Sequence, residues 1–188
     1  MSLLLTDILE VKKELEIEPD DHSEDTKLLF FIEQASQWIH ELLGREDLGY
    51  KSRTEFYNGT NTAKLLLKAR PVFTSPTIRV WADQAAYYGS AEGAFAADTE
   101  LEYGTDFCLK IDQSDGSSRC GTLVRIQGSW QRQMYRQSGL LSSYIGASFG
   151  SIKVTYTAGF TVDTLPACIR FATNLLVAKM RFLFPLGM

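Results

Sequence analysis

The chain has 188 residues, 45% of them hydrophobic and 22% charged, and a formal net charge of −4. A chain of this size can bury about 70% of the surface that its unfolded form exposes, so as a single domain of ordinary composition it requires neither disulfides nor a metal to stay folded. Lys and Arg are scattered and form no basic stripe to replace phosphate counterions, and no apolar run approaches the ~20 residues of a membrane span; tight DNA binding and membrane insertion are therefore disfavoured.

The opening residues Met1, Leu3, Leu4 and Leu5 are apolar but lack a basic start and a cleavage site, so they do not read as a secretory signal. Residues 6–15 predict a short helix capped by Thr6, with Ile8, Val11 and Leu15 on one face. The acidic stretch 16–25, which contains Pro19 and His22, has no recognised metal-ligand spacing; its later acids suit a helix N-terminus. A second helix follows from Leu28, Phe31, Ile32, Ala35, Trp38, Ile39, Leu42 and Leu43, which recur at helical spacing, and Gly44 supplies its left-handed end. Phe31 and Trp38 are expected as core anchors and His40 as a boundary residue.

From Arg53 onward the pattern is that of strands. Residues 54–57 and 63–67 flank Asn58, Gly59, Thr60 and Asn61, a hairpin signal; the Asn-Gly-Thr sequon reads as part of that turn. Arg70, Pro71 and Val72 turn the chain into a strand at 77–82. After a less regular Ala/Gly-rich segment, 84–100, residues 107–111 and 122–126 predict a second hairpin whose tip, 112–116, lacks the glycine and glutamate placement of a calcium loop. Residues 152–156 alternate as a clear strand. A last helix starts after Asp163 and Thr164, with Pro166 in its first turn and Ile169, Ala172, Leu176, Met180 and Leu183 on one face. The expected fold class is α+β, a single domain spanning 1–188: N-terminal helices and a C-terminal helix packed on a small, mainly antiparallel β-sheet region, with long loops at about 84–100 and 131–150.

Candidate chemistry is sparse. Gly146, Ala147, Ser148, Phe149 and Gly150 match the letters of a hydrolase nucleophile elbow, but a strand follows where a helix is required, and both histidines, His22 and His40, lie upstream of the serine. There is no phosphate-binding glycine loop and no zinc or iron ligand spacing. Cys108, Cys120 and Cys168 read as reduced, small buried residues, with a cross-strand Cys108–Cys120 bridge as the alternative. No catalytic residue, metal site or cofactor is assigned, and the chain is not expected to be an enzyme. The loop at 131–150 is the one candidate interface: Leu140, Leu141, Tyr144, Ile145 and Phe149 offer apolar area, with Arg132 and Arg136 at its rim. These side chains could cover a neighbouring molecule or fold back over the chain's own sheet.

The order of the motifs carries more information than any one of them. An acidic lead enters Ile32, Glu33, Gln34, Ala35, Ser36, Gln37, Trp38 and Ile39 and closes on Leu43, Gly44 and Arg45. Then come Glu55, Phe56, Tyr57, Asn58 and Gly59, then Leu67 with Arg70, Pro71 and Val72. Last, Val154, Thr155, Tyr156, Thr157, Ala158, Gly159 and Phe160 lead to Leu165, Pro166, Ile169 and Ala172. From about Leu5 to Leu183 this series resembles the head–tail connector (head-completion adaptor) family of tailed bacteriophages and prophages. The resemblance implies a virion protein, made in the host bacterial cytoplasm, that docks on the portal protein, forms a ring with copies of itself (expected to be dodecameric), meets a downstream neck or tail protein, and lets DNA pass without specific binding. A neck stopper, a tail-completion protein and a non-viral interaction module are the alternatives.

Overall fold

Helical periodicity, alternating strands and their caps combine, in a computed structural model of the chain, into three helices and two antiparallel sheets, an α+β fold. The structure describes residues 3–44, 47–83, 94–131 and 150–184. Two compact units are present: Met1–Tyr50 with Phe160–Met188, which is helical, and Lys51–Gly159, which holds the strands.

In the helical unit, α1 spans Ile8–Glu14, α2 Asp25–Leu42 and α3 Ala167–Leu183. Asp7, one residue later than expected, is the cap of α1: its carboxylate accepts from the Glu10 N–H at 2.9 Å. Thr6 is drawn away because its hydroxyl donates to Asn174 of α3 at 2.6 Å. α2 ends where Gly44 takes φ +63°, a conformation that a side chain would strain, and the Gly44 N–H donates to the Glu41 carbonyl. The helices bury their apolar faces against one another: Val11, Leu28, Phe31, Ile32, Ala35 and Val177 form one core. Leu5, Leu48 and Leu165 form a second.

The strand unit has eight strands: β1 Lys51–Tyr57, β2 Lys64–Leu66, β3 Val72–Phe73, β4 Arg79–Ala82, β5 Glu100–Leu101, β6 Phe107–Leu109, β7 Thr122–Arg125 and β8 Ile152–Ala158. β8 is central to the first sheet, with β1 on one side, β3 and β4 on the other, and β5 beyond β4. The second sheet runs β2-β7-β6. Alternate residues of β8 (Ile152, Val154, Tyr156 and Ala158) point inward and meet Leu65, Leu109, Leu123 and Phe107 of the second sheet in one core, which Trp130 completes. Among the described residues, no helical residue belongs to that core.

The hairpin around 107–126 forms as expected, with Leu109 opposite Leu123. The one around Asn58 does not. β1 pairs with β8 over its whole length, from Lys51 opposite Ala158 to Tyr57 opposite Ile152, while β2 crosses to the second sheet. The backbone groups of the connecting segment are taken elsewhere: the Asn61 N–H donates to the Trp130 carbonyl at 2.8 Å, and the Trp130 N–H to the Thr62 carbonyl at 2.9 Å. Asn58 accepts the Gly150 N–H through its side chain at 2.7 Å. Seven paired residues on β8 outweigh the three that β2 could offer.

Candidate interaction surface

Arg132, Arg136, Leu140, Leu141, Tyr144, Ile145 and Phe149, like Ser148, lie outside the described residues. The surface that the structure does describe is on the helices, and it begins with α3. At 100° per residue, Thr173, Asn174 and Val177 fall together on the side that is buried. Thr173 is fully buried and donates its hydroxyl to the Ile169 carbonyl at 2.9 Å; Asn174 accepts from Thr6. Arg170 reaches Glu10 at 2.7 Å, and Arg181 makes a two-pronged pair with Glu24. The opposite stripe holds Phe171, Leu175 and Phe182, which are 55%, 50% and 84% exposed, with exposed Cys168 beside them. This helix therefore carries two polar residues on its buried side and large apolar groups outside. An outward apolar stripe adds less to the folding of its own unit than a buried one and is open to a partner.

α2 repeats the theme more weakly. Leu28, Ile32, Ala35 and Ser36 face inward, while Phe30 lies on the opposite side, Trp38 on the flank and Leu42 at the helix end, all three exposed. Trp38 is 57% exposed, so it is not the core anchor that the periodicity suggests. The apolar residues from 28 to 43 are too many for one face, and the core takes Phe31 and Ile32 and leaves Trp38, Leu42 and Leu43 outside. On α3, likewise, Ile169, Leu176 and Met180 pack toward the helical cores, but Ala172 and Leu183 of the expected face are exposed. The signal for the outer stripe was present in the sequence, since Phe171, Leu175 and Phe182 recur at i, i+4 and i+11.

The groups with chemical potential elsewhere are engaged in holding structure. The Glu55 carboxylate accepts the hydroxyls of both Tyr57 and Tyr156, the latter at 2.6 Å. Those oxygens in turn accept the N–H groups of Lys68 and Ala69, at 2.9 and 3.0 Å. Burial, then the Glu55 carboxylate, pushes both phenols above their ordinary range, so they stay protonated. Together they lock the segment after β2 to the first sheet. In the helical unit the buried Lys12 ammonium donates to the carbonyls of Pro19 and Asp21 and pairs with Asp25 at 2.6 Å. Hydrogen bonds from Lys12 and then His22 hold the Asp25 carboxyl below its usual value, so the acidic stretch acts as helix entry and internal partner. Among the described residues no group of three or more His, Cys, Asp or Glu is arranged to hold a metal ion.

His40, expected at the boundary, is 2% exposed, and neither ring nitrogen has a hydrogen-bond partner among the described residues. Burial lowers its pKa, partly offset by the charge of Asp47. Cys108, Cys120 and Cys168 are free thiols; Cys168 is exposed rather than buried because it sits on the outer stripe of α3, and the other two are half-buried. No described helix is long and apolar enough to cross a membrane.

These features define an α+β chain with one unit closed around its own core and another that turns apolar helix faces outward. No protein-family model matches the chain, and no curated protein sequence aligns with it significantly.

Proposed function

We propose that the chain is a structural virion subunit, a head–tail connector that docks on the portal ring, assembles into a ring and extends the DNA channel toward the tail. The observation that supports an assembly role is the outward stripe of Phe171, Leu175 and Phe182 on a helix whose inner side carries Thr173 and Asn174. The ordered motif series, from Trp38 with Gly44 through Tyr57 with Asn58 to Gly159 with Pro166, supports the kind of assembly. A formal net charge of −4 suits a channel wall past which DNA slides without being held. Individually weak contacts suffice for such a subunit, because a preformed portal ring raises the effective concentration of neighbouring copies.

The test is to mix the purified protein with portal rings of the same virus and image the product by electron microscopy. A collar of regular stoichiometry under the portal is the expected result. Binding to a tail end with none to the portal would make the protein a stopper or tail-completion subunit, and no binding to either would remove it from the virion.

A further inference from the structure

We infer that α3 is a dimerisation helix: α3 of one copy packs antiparallel on α3 of a second copy about a two-fold axis, through the stripe of Cys168, Phe171, Leu175, Ala178 and Phe182. These residues follow one another at intervals of three, four, three and four. At 100° per residue they fall within an arc of about 80°. Such a repeat is the spacing at which one helix seats its side chains between those of another. The stripe is complementary to its own reverse. Centred between Leu176 and Val177, the reversed stripe places Phe171 opposite Phe182 of the second copy at both ends. In the middle it places Leu175 opposite Ala178, the small, half-buried position of the stripe. A parallel pairing would instead set Ala178 on Ala178, leaving a gap, and would align the two helix dipoles. Charge permits the antiparallel arrangement. α3 has no Asp or Glu, and Arg170 and Arg181 are held by Glu10 and Glu24, which leaves Lys179 as its exposed cation. Lys179 then lies beside the exposed Ala172 of the second copy, so no like charge faces it directly.

The area suits a reversible dimer. Phe171, Leu175 and Phe182 are 55%, 50% and 84% exposed. With about 150–250 Å² on an aromatic side chain, they offer on the order of 400 Å² per copy. Both copies together, with Ala172, Ala178 and the stem of Lys179, reach roughly the 1,000 Å² at which a specific interface begins, well short of the ~1,600 Å² of a standard one. A two-fold contact uses the same patch on both copies, so association stops at two. The inference goes beyond the connector reading and does not rest on it. A dimer of this size dissociates readily and leaves the stripe available to a larger assembly.

The experiment is sedimentation equilibrium of the purified full chain from low to several hundred micromolar, where a monomer–dimer equilibrium is expected. Leu175→Ser and Phe182→Ser should each weaken the dimer about tenfold or more, whereas Phe30→Ser, at an exposed site of α2, should leave it unchanged. Ala172→Glu sets a carboxylate beside Lys179 of the second copy and should tighten the dimer several-fold; adding Lys179→Glu should cancel that gain. A short bis-maleimide, with linked peptides identified by mass spectrometry, reads the orientation. Ala178→Cys with Cys168→Ser should link to itself, because the two copies of residue 178 stand near the axis. Cys168 of the native chain should not, because its two copies lie about 25 Å apart along the helices. Circular dichroism of each variant checks that it folds. A chain that stays monomeric at every concentration overturns the proposal. So do Cys168–Cys168 links, which would make the pairing parallel, and a dimer that Phe30→Ser weakens as much as Phe182→Ser. Because no portal is present, failure here leaves portal docking standing, and failure to bind a portal leaves this dimer standing.

Discussion

β8 sends Ile152, Val154, Tyr156 and Ala158 into the core of the strand unit and turns Lys153 and Thr155 away from it. α3 in the helical unit sends Val177 into a core together with Thr173 and Asn174, and leaves Phe171, Leu175 and Phe182 outside. Among the described residues, the exposed large aromatics (Phe30, Trp38, Tyr50, Phe171, Phe182 and Phe184) all belong to the helical unit. The strand unit uses its aromatics for itself: Phe107 packs edge-on to Tyr103 at 5.4 Å and near Trp130, whose indole N–H donates to the Ala63 carbonyl. Where apolar area is spent on a core it stabilises the fold, and where it faces solvent it is available to a partner. The two units divide those tasks.

The sharpest way to break this contrast is a pair of aromatic truncations. Phe107→Ala, at a fully buried site, should cost about 3–5 kcal/mol, whereas Trp38→Ala, at an exposed one, should stay within about 0.5 kcal/mol. Urea unfolding of both variants reads the difference, and equal losses would mean that the outer face of α2 is part of a core. Next in size is Lys12→Met, which keeps the side-chain volume but strands the carbonyls of Pro19 and Asp21; thermal unfolding should show a loss of about 1–3 kcal/mol. Tyr156→Phe probes the corresponding polar lock of the strand unit. It leaves the buried Ala69 N–H without its acceptor and should cost about 1–2 kcal/mol, with no change in Lys12-dependent stability.

Two smaller effects depend on pH. His40 has a folded pKa below its ordinary 6.5, so the unfolded chain binds its proton more readily. Its contribution is fully present above pH 6.5 and declines as pH falls toward the lowered folded value. His40→Leu should flatten that part of the stability curve, measured by urea unfolding at a series of pH values; an unchanged slope would mean that His40 does not stay neutral inside. Asp112, at the tip of the β6–β7 hairpin, accepts the N–H groups of Arg119 and Cys120, which bring its pKa down from 3.8 to about 2. Stability from this turn is present above pH 3.8 and is lost as pH falls through about 2. Asp112→Asn should remove that acid-dependent component, the smallest change of the series because the carboxylate is exposed, and acid titration followed by circular dichroism checks it.

By itself, the sequence determined the features that depend on neighbours along the chain. The span of α2 follows from its apolar spacing and from Gly44, whose positive φ ends it; the β6–β7 hairpin follows from two short apolar runs joined by a turn whose carboxylates bind their own backbone. Even the outer stripe of α3 was visible as spacing. Only the tertiary structure decided which stripe would be covered, because periodicity marks faces without naming what lies against them. It put Trp38 outside and His40 inside, and it buried Lys12 against carbonyls contributed by the segment after its own helix. It also gave β1 to β8 instead of β2, a choice that no local pattern encodes. Backbone N–H and C=O groups are alike on every strand, so the partner is set by which pairing buries the most side-chain area, and that sum runs over residues a hundred positions apart.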